Sequence, residues 1–248
     1  GSVLAGPVDG VGAGTGTFTF TDTVTLPTGV TKLALKGKLG NTYVSNDTVI
    51  VSSNPQTQWT TARGQVTGNS ITPAPNSILT GSTMTVKSGA LAISVSSQPV
   101  AQNVIAGANQ FEFARYVFDA GQSGEEVRIT SIPLLLAVGA PMTASNLSSC
   151  TLYDGNTALV TGGNVVNPSV VGDISFTFDG TGLMIPKGTS KNISLKCNVA
   201  AGVTGTVAWG LTNNSAVFSG ASGMMSGQTV TETMIASAGQ TMTLAASG

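Results

Sequence analysis

The sequence predicts an all-β protein made of tandem antiparallel β-sandwich modules, the first of them incomplete. Three observations predict this. Apolar and polar residues alternate over short runs, glycine-containing turns separate the runs, and much of the sequence recurs about 158 positions later. Alternation is the signature of a strand with one buried face, because successive side chains point to opposite sides. Helix is disfavoured by 32 glycines and by abundant Thr, Val and Asn.

Taken in order, Phe18, Phe20 and Val24 alternate with Thr and Asp, and Leu33 and Leu35 alternate with Lys32, Ala34 and Lys36. A longer strand is expected over Phe111–Asp119, lined by Phe111, Phe113, Tyr116 and Phe118, with a bulge near Ala114-Arg115. Val127, Ile129 and Ile132 continue the pattern, and so do Leu152, Ile174, Phe176, Phe178, Ile193, Leu195, Val203, Val207 and Trp209. Turns are expected at Pro27-Thr28-Gly29, Asp154-Gly155-Asn156, Asp179-Gly180-Thr181-Gly182 and Pro186-Lys187-Gly188. Thr143 to Ser148 is the one segment that reads as a helical turn. Many short strands joined this way fit two packed antiparallel sheets with Greek-key connections.

The repeat sets the domain organisation. Thr17-Phe18-Thr19-Phe20 is echoed by Ser175-Phe176-Thr177-Phe178, Leu26-Pro27 by Ile185-Pro186, Leu35-Lys36 by Leu195-Lys196, and Gly81 to Val86 by Gly239 to Leu244. Residues 1–90 therefore carry the C-terminal half of a first sandwich, echoed from about residue 15, and residues 91–248 a complete one. The joint near Lys87 to Leu91 is short, which favours a semi-rigid array. The first copy lacks the strands matching Leu91 to about Gly172. That leaves an apolar face to be completed by preceding sequence or by strand addition from a neighbour.

Composition narrows the function. Only 8% of residues are charged, and 10 basic residues against 11 acidic ones give a net charge of −1. No basic patch is present to release counterions from nucleic acid, so nucleic acid is not expected as a partner. There is no His, the usual general base near neutral pH and the commonest transition-metal ligand. The most apolar run, Ser131 to Ala140, is far shorter than the roughly 20 residues of a membrane-spanning helix. The surface is instead rich in Thr, Ser and Asn, which pack on neighbours without desolvating ions.

Cys150 and Cys197 both fall in the complete copy. Gly37 stands where Cys197 would be in the partial copy, and the segment matching Cys150 is absent there. A cysteine present only where its partner is present is the pattern of a disulfide. Two buried free thiols are the alternative. A loop of this length constrains the unfolded chain by roughly 3–4 kcal/mol.

Other candidate chemistry is sparse. Asp119, Glu125 and Glu126 in a glycine-rich loop have the oxygen donors calcium favours, though in no EF-hand spacing, and a solvated loop is the plainer reading. Trp59 and Trp209, in similar places in the two copies, are candidates for a sugar-stacking platform. Their recurrence favours core packing instead. Ser194 near Lys191 or Lys196 is a weak nucleophile candidate, and no Gly-x-Ser-x-Gly elbow is present. No enzyme is expected.

Leu91 to Val95, Val104 to Phe118, Glu125 to Leu136, Ser149 to Gly155 and Leu183 to Val199 together resemble an Ig-like β-sandwich module repeated in long bacterial surface proteins, notably those of candidate phyla with reduced genomes. The most specific element is Ile185-Pro186-Lys187-Gly188-Thr189-Ser190-Lys191 and the strand after it. The resemblance implies an extracellular, structural cell-surface role: a surface layer, filament or stalk assembled from copies of the chain. An adhesin or carbohydrate-binding module that takes glycans is the alternative.

Overall fold

The computed structural model describes residues 2–11, 14–40, 42–213 and 220–246. The chain forms two compact units, residues 1–41 and residues 42–248. The expected joint near residues 87–91 lies within the second.

In the first unit the described residues contain one isolated bridge, Val11 with Thr17, and no extended strand. Gly6 N donates to Asp22 Oδ2 at 2.8 Å. The strands expected through Phe18–Val24 and Leu33–Leu35 do not form, and Phe18, Phe20, Leu33 and Leu35 remain 43–60% exposed. The alternation is present, but a strand needs hydrogen-bonding neighbours and a face to cover it.

The second unit begins with four two-residue strands: β1 (Thr48–Val49), β2 (Ser52–Ser53), β3 (Leu79–Thr80) and β4 (Met84–Thr85). β1 pairs with β4 and β2 with β3, both antiparallel. Between them lies a one-turn helix, α1 (Pro55–Gln58), which the sequence pattern did not announce. Proline at its start needs no amide donor.

The remaining strands build three sheets. They are β5 (Ala90–Val95), β6 (Asn103–Ile105), β7 (Phe111–Asp119), β8 (Val127–Ile129), β9 (Ser131–Gly139), β10 (Leu147–Asp154), β11 (Thr157–Ala158), β12 (Gly172–Thr177), β13 (Leu183–Ile185), β14 (Ser190–Val199), β15 (Gly205–Gly210), β16 (Ala221–Gly223), β17 (Thr231–Met234) and β18 (Thr241–Ala245). Six strands run in the order β11-β10-β14-β7-β5-β17, five in the order β12-β9-β15-β18-β6, and three in the order β13-β8-β16. All pairings are antiparallel except β17 with β5 and β18 with β6. The protein is all-β.

One buried cluster takes residues from all three sheets, including Tyr116, Trp209 and Ile129. Phe176 on β12 meets Trp209 on β15 edge to face at 5.8 Å, a favoured aromatic geometry. Tyr116 on β7 is fully enclosed, with its hydroxyl 3.5 Å from the Gly210 carbonyl of β15.

β7 keeps the expected bounds. Its irregularity falls at Phe113, because Lys196 pairs with Glu112 while Leu195 pairs with Ala114. The extra residue lets two consecutive side chains, Phe113 and Ala114, both face inward. Thr143–Ser148 does make a helical turn, a 3-10 turn over Ala144–Asn146, and Asn146 Oδ1 accepts from Thr143 N at 2.8 Å. Ile132–Val138 is apolar throughout because β9 lies between β12 and β15, and within it only Ala137 is exposed.

Cys150 and Cys197 form a disulfide, fully buried, with Cα atoms 4.1 Å apart. It joins the neighbouring strands β10 and β14 where their register shifts between Ser148 and Thr151. With a sequence separation of 47, replacing both cysteines with Ala is expected to lower stability by about 3–4 kcal/mol. Urea unfolding under non-reducing conditions measures the loss, with the disulfide-bonded wild type as reference.

Candidate functional site

The most structured polar site is a junction around Glu125. The residue is only 9% exposed. Oε2 accepts from the amides of Met225 at 2.7 Å and Ser226 at 2.8 Å, and Oε1 accepts from Ser226 Oγ at 2.6 Å. These donors belong to the turn that leaves β16. Gly223 N donates to the Gln228 carbonyl and Gly227 N to the Gly223 carbonyl, both at 2.9 Å. The glycine at 223 is required by the carboxylate: a Cβ there would stand 2.2 Å from Glu125 Oε1.

The loop carrying Glu125 is tied to a third segment. Ser123 Oγ donates to the Glu125 carbonyl at 2.6 Å and accepts from Ala90 N at 3.3 Å, while Gly124 N donates to the Ser88 carbonyl at 3.0 Å. Gly124 cannot carry a side chain, since a Cβ would lie 2.3 Å from the Lys87 carbonyl. The junction therefore locks the start of β5, the entry to β8 and the exit of β16. A shallow cleft beside it, about 270 Å³, is lined by Lys87, Ser88, Gly89, Glu125, Ser226 and Val230 among others. That is below the usual range for a small-molecule site, about 300–1,000 Å³.

Burial pushes the Glu125 carboxyl up. The Ser226 hydroxyl and the amides of Ser226 and Met225 outweigh this and hold it below the ordinary glutamate value. Glu232 on β17 is shifted the other way, mainly by burial. Tyr116 is pushed far up by burial.

The three acids considered for calcium are not gathered. Among the described residues no group of three or more His, Cys, Asp or Glu side chains could hold a metal ion. Asp119 Oδ1 accepts from Gly121 N at 2.7 Å, which is a local turn contact. Asp179 does more than shape its turn. Thr161 Oγ1 at 2.5 Å and Asn164 Nδ2 at 2.7 Å both donate to it and hold its carboxyl below the ordinary range.

The two tryptophans occupy unlike places. Trp209 is fully buried and offers no surface to a sugar, whereas Trp59 is 55% exposed and donates from Nε1 to Ser53 Oγ at 3.1 Å. Strand register gives the reason. Thr48 and Val49 pair with Thr85 and Met84 as Thr206 and Val207 pair with Thr243 and Met242. Counting on from there, Val51 stands where Trp209 stands, and Trp59 falls beyond the strand. Lys191 is paired with Asp154 at 2.6 Å, and Lys196 sits over the Tyr153 ring at 4.8 Å. Among the described residues neither lysine bonds to Ser194.

Among the described residues no helix is long and apolar enough to cross a membrane. Compared with known families and curated proteins, the chain matches no family model and no curated protein.

Two outcomes follow for the junction. Glu125→Ala should lower stability by about 2 kcal/mol, the scale for losing hydrogen bonds to a charged group, and Gly223→Ala should do much the same by expelling the carboxylate. The pH dependence has a definite sign. A carboxyl held low in the folded state stabilises above its unfolded value and loses that contribution as pH falls through the folded value. The stability gap between wild type and Glu125→Gln should therefore shrink below about pH 4. Glu232, raised by burial, contributes in the opposite sense, and taking the difference between the two proteins removes it. Urea midpoints from pH 2.5 to 7 measure the gap, and a gap independent of pH contradicts the assignment.

Proposed function

We propose that the chain belongs to an extracellular tandem-repeat protein whose Ig-like sandwiches serve a structural, non-enzymatic role at the cell surface. Copies of the chain would be the partners, forming a surface layer, filament or stalk. One observation carries the reading: backbone pairing recurs at a fixed offset. Thr48 with Thr85, Val49 with Met84 and Ser53 with Leu79 are matched 158 positions later by Thr206 with Thr243, Val207 with Met242 and Leu211 with Ser237. Arg63 with Ser70 is matched 159 positions later by Ser222 with Thr229. Repeated units of this kind usually build length or a lattice.

The strand order supports the Ig-like assignment. One sheet contains β10-β14-β7-β5 and the other β12-β9-β15-β18-β6. In chain order β5, β7, β9, β10, β14, β15 and β18 follow the A-B-C-D-E-F-G path of such sandwiches, whereas β12 flanks β9 where a C′ strand would lie but follows β10 in sequence, which departs from that path. The disulfide departs from the antibody pattern by joining neighbours within one sheet rather than two facing sheets. A buried disulfide supports an oxidising, extracellular location. The surface carries few charges, so contacts between copies would desolvate few ions.

A second reading rests on the exposure of Trp59 as a site for glycans. Tryptophan fluorescence separates the two. A spectral shift on adding glycans, abolished in Trp59→Ala, favours binding.

The structural reading is tested by negative-stain microscopy at rising protein concentration. Ordered sheets or threads of regular spacing are expected, with no requirement for calcium. A chain that stays monomeric at every concentration contradicts self-assembly.

A further inference from the structure

The turn that holds Glu125 has a twin in which, among the described residues, no carboxylate is bound. In the first turn Gly64 N donates to the Asn69 carbonyl at 2.9 Å, Gly68 N to the Gly64 carbonyl at 2.8 Å, and Ile71 N to the Ala62 carbonyl at 2.9 Å. In the second, Gly223 N reaches the Gln228 carbonyl at 2.9 Å, Gly227 N the Gly223 carbonyl at 2.9 Å, and Val230 N the Ala221 carbonyl at 3.1 Å. Gly68 and Gly227 share the left-handed conformation, with φ of 71° and 69°. Even the internal hydroxyl contact recurs: Asn69 N donates to Thr67 Oγ1, and Gln228 N to Ser226 Oγ.

In the second turn the amides of Met225 and Ser226 and the Ser226 hydroxyl converge on Glu125. Their counterparts are the amides of Val66 and Thr67 and the Thr67 hydroxyl. Among the described residues no carboxylate accepts from these three, and Val66 is 98% exposed. Two amides and a hydroxyl presented together suit an anion.

The apolar residues around the twin turn are uncovered in the same way. Met84 is 53% exposed where Met242 is fully buried, and Ile71 is 54% exposed where Val230 is 2% exposed. Met242 and Val230 are buried in a cluster that takes Leu91, Phe113 and Val127 from residues 90–139. Within this chain that segment is already committed to β12–β18.

We infer that residues 42–90 are an acceptor for a second β-segment built like residues 90–139, whose glutamate, placed as Glu125 is, docks on Val66 N, Thr67 N and Thr67 Oγ1. This rests on the repeat reading above. Backbone pairing supplies most of the attachment, as in strand addition, and the carboxylate fixes the register.

The test adds a donor polypeptide of residues 88–172 to the full chain and follows amide hydrogen exchange. It also uses a fusion carrying the same residues ahead of Gly1 on a flexible linker, which covers the case of an insoluble free donor. Slower exchange at Val66, Thr67 and Met84, with Met225, Ser226 and Met242 unchanged, is the expected result in either format. Glu125→Gln in the donor, or Thr67→Val in the acceptor, should weaken binding by about tenfold to a hundredfold. Absence of protection at Val66 and Thr67 in both formats overturns the inference. So does protection accompanied by matching loss at Met225 and Ser226, which means that the donor has exchanged into the other half. Assembly seen by microscopy is independent of this result. A chain that forms sheets without accepting the donor sinks the inference alone, and one that accepts the donor yet stays monomeric sinks the assembly reading alone.

Discussion

The structure depends on one constraint: the two halves of residues 90–245 are interleaved strand by strand. β8 lies between β13 and β16, β9 between β12 and β15, and β14 between β10 and β7. β5 and β6, from the start of this region, pair in parallel with β17 and β18 from its end. Almost every ladder therefore joins residues far apart in sequence, and the shared core closes only when both halves are present. Such long-range pairing incurs its loop-closure entropy before contacts offset it, which makes folding of this region cooperative.

The same constraint accounts for the irregular N-terminal region. Within residues 172–245 the pairings that need no earlier strand are β15 with β18 and the bridges Leu211 with Ser237 and Ser222 with Thr229. Their counterparts all occur in residues 42–86. β12, β13 and β14 pair only with earlier strands, and the residues that echo them, near 17–36, form no strand. Sequence pattern alone does not make a strand there, because a strand also needs hydrogen-bonding neighbours. Glu125 is the polar counterpart of this dependence, a carboxylate from one half holding a turn of the other.

Much of this was legible in the sequence, and the failures have physical causes. β7 was readable to its ends because alternating aromatic residues mark a half-buried strand. Its bulge was displaced by about one residue, since Phe113 and Ala114 both turn inward and only the partner register reveals which is extra. The disulfide was readable from the joint appearance of two cysteines. The role of Glu125 was not readable, because its donors lie 100 and 101 positions away and a short acidic loop suggests a cation first. Trp59 and Trp209 were paired by approximate spacing, whereas the pairing register sets Val51 in the place of Trp209. The strands expected near Phe18 and Leu33 had the right pattern and no neighbours.

The claim that strands of one half form only against the other is tested most directly by amide hydrogen exchange on the intact chain. Thr31–Gly37 and Ser190–Cys197 share an alternating pattern, with Leu33 and Leu35 in the places of Ile193 and Leu195. The account predicts near-unprotected exchange in the first and protection close to the global unfolding limit in the second, where β14 lies between β10 and β7. Equal protection of the two segments would mean that the first forms its strand unaided, and would contradict the account.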